Sequence, residues 1–341
     1  MRNKKLKIKS KIFSYIFIFE ILFFIFNLNF AQSADAQNID LGIYPPIAQI
    51  DATPPTDIKY PIYIENSSDK SITLNIIYKA FIPAGTKDGQ LQLVDTFDFF
   101  ADPLFFNKVR IFDKDRPVKL FVLSPKQQKN LEMEIKLPVS QAKGDYYFSV
   151  IFKSAPDQNL IANSSYQTGG IAMNTLLTVG PKGKTTGYIQ KFSSPFLVNS
   201  GPLAFSVEIN NTSGHFITTK GEIIVKNLFG QNVGKISLLP VNILSNSSRR
   251  IPDSIQVGTD SREYNNIKKI IEKNEFPVAV WREKFLFGPY TANLTIALSD
   301  QGPVFKKTIY FFAFPLTYLL ALVLIILIII FIVLRVRKRI S

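Results

Sequence analysis

Alternation with period two runs through the middle of this chain and decides its class. Ile72, Leu74 and Ile76 alternate with Thr73 and Asn75. Leu131, Met133, Ile135 and Leu137 alternate with Glu132, Glu134 and Lys136. Leu203, Phe205, Val207 and Ile209 alternate with Ala204, Ser206 and Glu208, and Tyr290, Ala292, Leu294, Ile296 and Leu298 with Thr291, Asn293 and Thr295. Strands of this kind bury one face and wet the other, the pattern of antiparallel sandwiches. Turn signals separate them at Asn66 to Asp69, Pro83 to Gly89, Ser124-Pro125, Phe229 to Asn232 and Gln301-Gly302-Pro303. Helical spacing is confined to Arg262 to Asn274, which reads as a short helix on a loop.

The two ends read differently. Six basic residues, Arg2 to Lys11, precede an apolar run from Ile12 to Phe26, interrupted by Glu20. The small-residue site Ala34-Asp35-Ala36 follows, so residues 1–36 are expected to be an export signal cut before Gln37, an uncleaved helix being the alternative. Near the other end Leu316 to Leu334 holds 19 residues without a charge. At about 1.5 Å per residue they reach close to the roughly 30 Å of a bilayer's hydrocarbon. Segment 309–334 is therefore expected to be a transmembrane helix, with Tyr310, Phe311, Phe312 and Tyr318 as an outer aromatic belt. Arg335, Arg337, Lys338 and Arg339 in the tail 335–341 would stop transfer, stay cytoplasmic and hold anionic lipid. The expected placement is a single-pass cell-membrane protein with its middle outside the cell and the bilayer as one partner.

Charge agrees with this layout. The chain carries 40 Lys+Arg against 26 Asp+Glu, a net +14, but the excess is bunched at the ends, and residues 37–334 carry 30 − 24 = +6. A nucleic-acid partner is not expected. With no Cys and one His, disulfides, thiolate sites and His-based metal clusters are excluded, so no catalytic, cofactor or metal residue is assigned.

An internal repeat points to two similar domains. Ile62, Ile64 and Asn66, followed by Ser67-Ser68, recur 145 residues later as Val207, Ile209 and Asn211, followed by Thr212-Ser213. Gly144-Asp145-Tyr146 recurs 144 residues later as Gly288-Pro289-Tyr290. The Gly frees the backbone before a strand; the Tyr can pack its ring and bond its hydroxyl at a sheet corner. Asn66, Tyr146, Asn211 and Tyr290 are thus structural landmarks. The expected boundary is Gly180 to Gly183, giving domains 37–180 and 181–308, each large enough for a core without disulfides. The fold expected is mainly β: two tandem immunoglobulin-like β-sandwiches, plus the signal and the membrane helix.

Tyr44-Pro45-Pro46-Ile47-Ala48-Gln49-Ile50, Leu123-Ser124-Pro125, Gly144 to Phe148 and Phe287 to Ala292 carry a resemblance. With the signal, the terminal helix and the basic tail, the chain resembles bacterial surface proteins, the WxL-interacting proteins of Gram-positive bacteria among them. That likeness implies cell-wall attachment by the first domain and a protein partner for the second. The Pro-rich opening strand and its Asn also look like periplasmic pilus chaperones, a soluble family from which the fused helix departs.

Motifs that could carry chemistry are weak. Gly183-Lys184-Thr185 lacks the upstream Gly of a phosphate loop, position 178 being Thr, and reads as a linker. Asp95, Asp98, Asp102, Asp113 and Asp115 lack calcium-loop spacing and read as a solvated loop. Phe97, Phe99, Phe100, Phe105 and Phe106 among them read as core; exposed, they would be a partner or glycan surface. His215 sits in a turn without a nucleophile motif, Trp281 beside Arg282 reads as core rather than a sugar platform, and the Asn-x-Ser/Thr triplets follow from composition. The expectation is a non-enzymatic surface protein that binds cell wall or another surface protein. The alternative is a membrane-tethered assembly chaperone for exported or pilus-like subunits that lends them a strand edge.

Overall fold

A computed structural model describes residues 40–94, 102, 104–155, 169–254 and 277–340. The expected signal, the helical spacing of 262–274 and residues 95–101 lie outside them. The described chain is mainly β and builds two units, each of two facing sheets.

The first unit contains β1 (Leu41–Tyr44), β2 (Ile47–Ala52), β3 (Thr56–Asn66), β4 (Ile72–Pro83), β5 (Leu91–Val94), β6 (Val109–Asp113), β7 (Arg116–Pro117), β8 (Leu120–Leu123), β9 (Gln128–Leu137), β10 (Gly144–Ser154) and β11 (Gly170–Val179). One sheet runs β1-β3-β9-β6-β7 and the other β2-β11-β10-β4-β5, with β8 also on β4. The alternation works as expected: Ile62, Ile64, Leu74, Met133, Ile135, Phe148, Val150 and Phe152 meet in one core between the sheets.

The second unit contains β12 (Gly187–Ser193), β13 (Leu197–Val198), β14 (Leu203–Asn211), β15 (Ile217–Lys226), β16 (Asn232–Ser237), β17 (Val241–Ile243), β18 (Ser247–Arg250), β19 (Ala279–Trp281), β20 (Gly288–Ala297) and β21 (Val304–Ala313). Its sheets run β12-β14-β18 and β13-β21-β20-β15-β16. Val207, Ile209, Ile223, Val225, Leu294 and Ile296 fill its separate core. Gly144 and Gly288 open β10 and β20 with φ of 133° and 95°, a backbone region that side chains disfavour and glycine tolerates.

A third, smaller cluster joins the units. Phe81 and Leu176 of the first pack with Phe216 and Leu244 of the second, and Tyr147 lies against them.

One expectation is corrected here. The chain ends in α1 (Leu316–Ile340), but among the described residues no helix is long and apolar enough to cross a membrane. The single-pass placement, with the bilayer as partner, is therefore not carried forward. Arg335 is exposed and continues α1; the side chains of Arg337, Lys338 and Arg339 lie outside the described residues.

Candidate functional site

The site is built where β11 runs from an open sheet edge down to the junction of the two units. β10 covers one side of β11 along its whole length, from Gly144↔Val179 to Lys153↔Gly170. On the other side β2 pairs in parallel, but only from Asn174↔Ile47 to Val179↔Ala52. Among the described residues no strand pairs with that side of Gly170 to Met173. The stretch Gly170-Ile171-Ala172-Met173 carries no charge. An unpaired edge of this kind presents a row of backbone donors and acceptors to any extended chain. The reason that β2 stops there is local: it enters through Pro45-Pro46, whose last carbonyl accepts the Asn174 N–H at 3.0 Å.

The outer face beside this edge is apolar and wet. Leu91, Leu93, Ile151, Ile171 and Ala172 line a groove of about 440 Å³ whose upper end is Lys153. Leu93 is 49% exposed and Leu91 36%, so the strand β5 offers its apolar side chains to solvent. Leu91 and Asn174 also line a second cavity, about 140 Å³, at the junction of the units. Leu91 and Asn174 thus stand between the two spaces.

Arg249 of β18 dominates the junction cavity. Its Nη1 donates to the Asn242 carbonyl at 2.7 Å, and its Nε is buried without a hydrogen-bond partner. Among the described residues no carboxylate forms an ion pair with it. Burial lowers its hold on its proton from the ordinary value, with the charge of Asp88 opposing. Arginine nonetheless stays charged in any accessible pH range. A buried guanidinium with spare donors is a ready receptor for a carboxylate.

Two polar clasps fix the cavity's walls. Lys87, on the turn between β4 and β5, pairs with Glu208 of β14 at 2.7 Å, and its carbonyl accepts the Arg250 N–H at 2.7 Å. Glu208 is 1% exposed, so this pair ties the turn firmly to the second unit. Gly89 on the same turn lies so close to Arg249 that a Cβ there would meet its guanidinium carbon at 2.3 Å. On the opposite side Asp145 accepts from the Phe216 N–H at 2.6 Å, from Thr178 Oγ1 at 2.8 Å and from the Tyr147 hydroxyl. Burial, then the neighbouring Asp145 charge, drives the Tyr147 phenol far above its usual range. Lys182 pairs with Asp51 at 2.8 Å and lies 4.7 Å over the Phe216 ring.

The landmark residues sit away from this site and do structural work. Asn66 Nδ2 donates to the carbonyls of Lys70, Leu123 and Ser124 at 2.8, 3.3 and 3.0 Å. Asn211 Nδ2 donates to those of His215, Ile243 and Leu244 at 2.9, 3.0 and 3.0 Å. Tyr146 donates to the Ala142 carbonyl at 2.8 Å and stacks on Phe105 at 4.5 Å. The Tyr290 hydroxyl accepts the Phe287 N–H at 3.1 Å.

Of the aromatic residues that, if exposed, would offer a glycan or partner surface, the described ones are packed, and Phe99 and Phe100 lie outside the described residues. Phe105 is fully buried, Phe106 stacks on Tyr78, and Trp281 is buried against Tyr290 and Phe311. Asp102 pairs with Lys108 at 2.5 Å and Asp113 with Lys129 at 2.5 Å, so these carboxylates are engaged by cations. Among the described residues no group of three potential metal ligands occurs. His215 shares a 3.2 Å hydrogen bond with Thr185, which places Gly183-Lys184-Thr185 in a linker packed on the second unit. Sequence reasoning missed Arg249, Lys87 and the open half of β11. The available signal was the uncharged run Gly170 to Met173, set against Lys306-Lys307 in the matching strand of the repeat.

Neither a family model nor a curated protein matches the chain. Solved structures do. It is similar to a crystal structure of the class 5 fimbriae chaperone CfaA, at 14% identity, covering 81% of this chain and 100% of that one, with a TM-score of 0.36. It is similar to the CsuC–CsuE chaperone–tip adhesion subunit pre-assembly complex from the archaic chaperone-usher Csu pili of Acinetobacter baumannii, at 9% identity, 80% and 99% coverage and a TM-score of 0.34. The E. coli chaperone DraB is similar at 8% identity, 79% and 96% coverage and a TM-score of 0.32. The expected role as a binder of cell wall or of another surface protein is not carried forward: of the aromatic residues that could have offered such a surface, Phe105, Phe106 and Trp281 pack in the two cores, and Phe97, Phe99 and Phe100 lie outside the described residues.

Proposed function

We propose that this protein is an assembly chaperone that holds an extended segment of an exported subunit on the first sandwich, both units being immunoglobulin-like. One observation carries the reading: the uncharged edge Gly170 to Met173, unpaired among the described residues, leads to a cavity holding an arginine that no described carboxylate pairs with. An added strand gains main-chain hydrogen bonds from the edge and side-chain contacts from the groove, the mode of β-augmentation. It cannot continue past Asn174, because β2 occupies the edge from there. The segment therefore ends at Asn174, and the natural group to place beside Arg249 is a chain-terminal carboxylate. That polarity makes the segment run parallel to β11. The chaperones of fimbriae and pili named above, including one caught with its tip adhesion subunit, are in keeping with such a client.

The test is binding of an eight-residue peptide of alternating apolar residues to the full chain, followed by fluorescence anisotropy and amide exchange. A free carboxylate should bind at least tenfold more tightly than the C-terminal amide, and Arg249→Ala should erase that difference. Slowed exchange should appear at Gly170 to Met173. Equal affinity of acid and amide, or slowed exchange confined to the second unit, would sink the proposal.

A further inference from the structure

Lys153 stands at one end of the groove and Arg249 in the junction cavity at the other, and that spacing specifies the client more narrowly. We infer that the client segment carries a second acidic side chain four or five residues before its terminal carboxylate, read by Lys153. This rests on the strand-binding role proposed above.

Lys153 of β10 lies opposite Gly170 of β11, at the top of the open edge, while Asn174 marks the bottom. Four residues separate Gly170 from Asn174, a rise of about 13 Å in an extended strand. Lys153 points to the same outer face as Ser149 and Ile151, the alternation of β10 putting Val150 and Phe152 into the core. Among the described residues it has no ion-pair partner, unlike Lys87, Lys108, Lys129 and Lys182. Between the two cations the floor is apolar: Leu91, Leu93, Ile151 and Ala172. A strand lying there with its terminus at Arg249 brings its fourth or fifth residue from the end level with Lys153. Apolar side chains on that face of the added strand would pack on Ala172 and reach toward Ile151 beyond it, while Leu91 and Leu93 lie on β5 at the far edge of the sheet. A positive residue at the upper position would face Lys153 and be rejected, so the pair of cations acts as a ruler for length and charge together.

The test uses the same peptide with Glu, Gln or Lys at the fifth position from its free carboxylate, titrated against the full chain. Exposed charge pairs are modest, so Glu should bind about threefold better than Gln and about tenfold better than Lys. Lys153→Glu should invert the order, restoring the Lys peptide, while binding of the Gln peptide changes little. Equal binding of all three peptides by the native chain, or an order unchanged in Lys153→Glu, overturns the ruler and leaves the strand-binding role standing. Failure of all three peptides to bind overturns both.

Discussion

The two sandwiches are built to one plan and differ at one edge. Each ends its Asn-bearing strand, β3 or β14, with a buried amide that donates to three carbonyls, two of them at the end of a short strand, β8 or β17. Each has a parallel strand pairing with part of its last long strand: β2 on β11 over six residues, β13 on β21 over two. Among the described residues both last strands consequently keep an open stretch. In the first unit that stretch is Gly170 to Met173, without charge. In the second it is Val304 to Phe311, with Lys306 and Lys307 exposed in its middle. Charged residues, Lys above all, are how a sheet blunts an edge that must not pair. The same architecture thus yields one open stretch without charge and one longer stretch bearing two exposed lysines.

The largest effects test the shared plan. Tyr146 is buried, stacked on Phe105 and bonded through its hydroxyl. Tyr146→Ala should destabilise the first unit by about 3–5 kcal/mol in denaturant melts. Tyr290 is half-buried, so Tyr290→Ala should cost the second unit less, about 2–3 kcal/mol. Equal losses would mean that the two tyrosines hold equivalent corners after all. Asn211→Ala leaves three buried carbonyls short of a donor and should cost about 2–4 kcal/mol.

Next comes the edge itself. Ala172→Lys places a charge on the open stretch while its side chain stays on the outer face. It should cut peptide affinity at least tenfold with under about 0.5 kcal/mol change in stability. The reciprocal double variant Lys306→Thr with Lys307→Thr should expose the second edge and raise the sedimentation coefficient through self-pairing. If the double variant sediments as the native chain does, charge is not what guards that edge.

Much of this plan was legible beforehand, and the limit is physical. Period two and the offset of 144–145 residues reveal strands, two cores and the four landmark side chains, because each depends on neighbours a few residues away or on the repeat. The junction site does not. Lys87 reaches Glu208 and Asp145 reaches the Phe216 N–H across the junction where Phe81 and Leu176 pack on Phe216 and Leu244, contacts that no local spacing encodes. Phe105 and Trp281 are core, as their apolar surroundings in the sequence suggest.

The smallest effect concerns acid, and it probes the seam between the units rather than either core. His215 sits beside the seam, bonded to Thr185, with Asp145, Asp51 and Lys182 facing it. Burial holds its pKa below the ordinary 6.5, Lys182 adds to that, and Asp145 and Asp51 oppose it. The folded chain thus favours the neutral ring more than the unfolded chain does. Above pH 6.5 both states are neutral and His215 makes no pH-dependent difference. As pH falls through 6.5 the unfolded state binds the proton first, so stability declines until the folded ring protonates too. Denaturant midpoints taken at pH 7.5 and 5.5 should therefore fall on acidification, and His215→Gln should remove part of that slope. The loss should appear in the second unit and at the seam, whose Phe216 N–H is donated to Asp145, and leave the Tyr146 corner unmoved. A slope unchanged in His215→Gln would assign the acid sensitivity to the carboxylates alone.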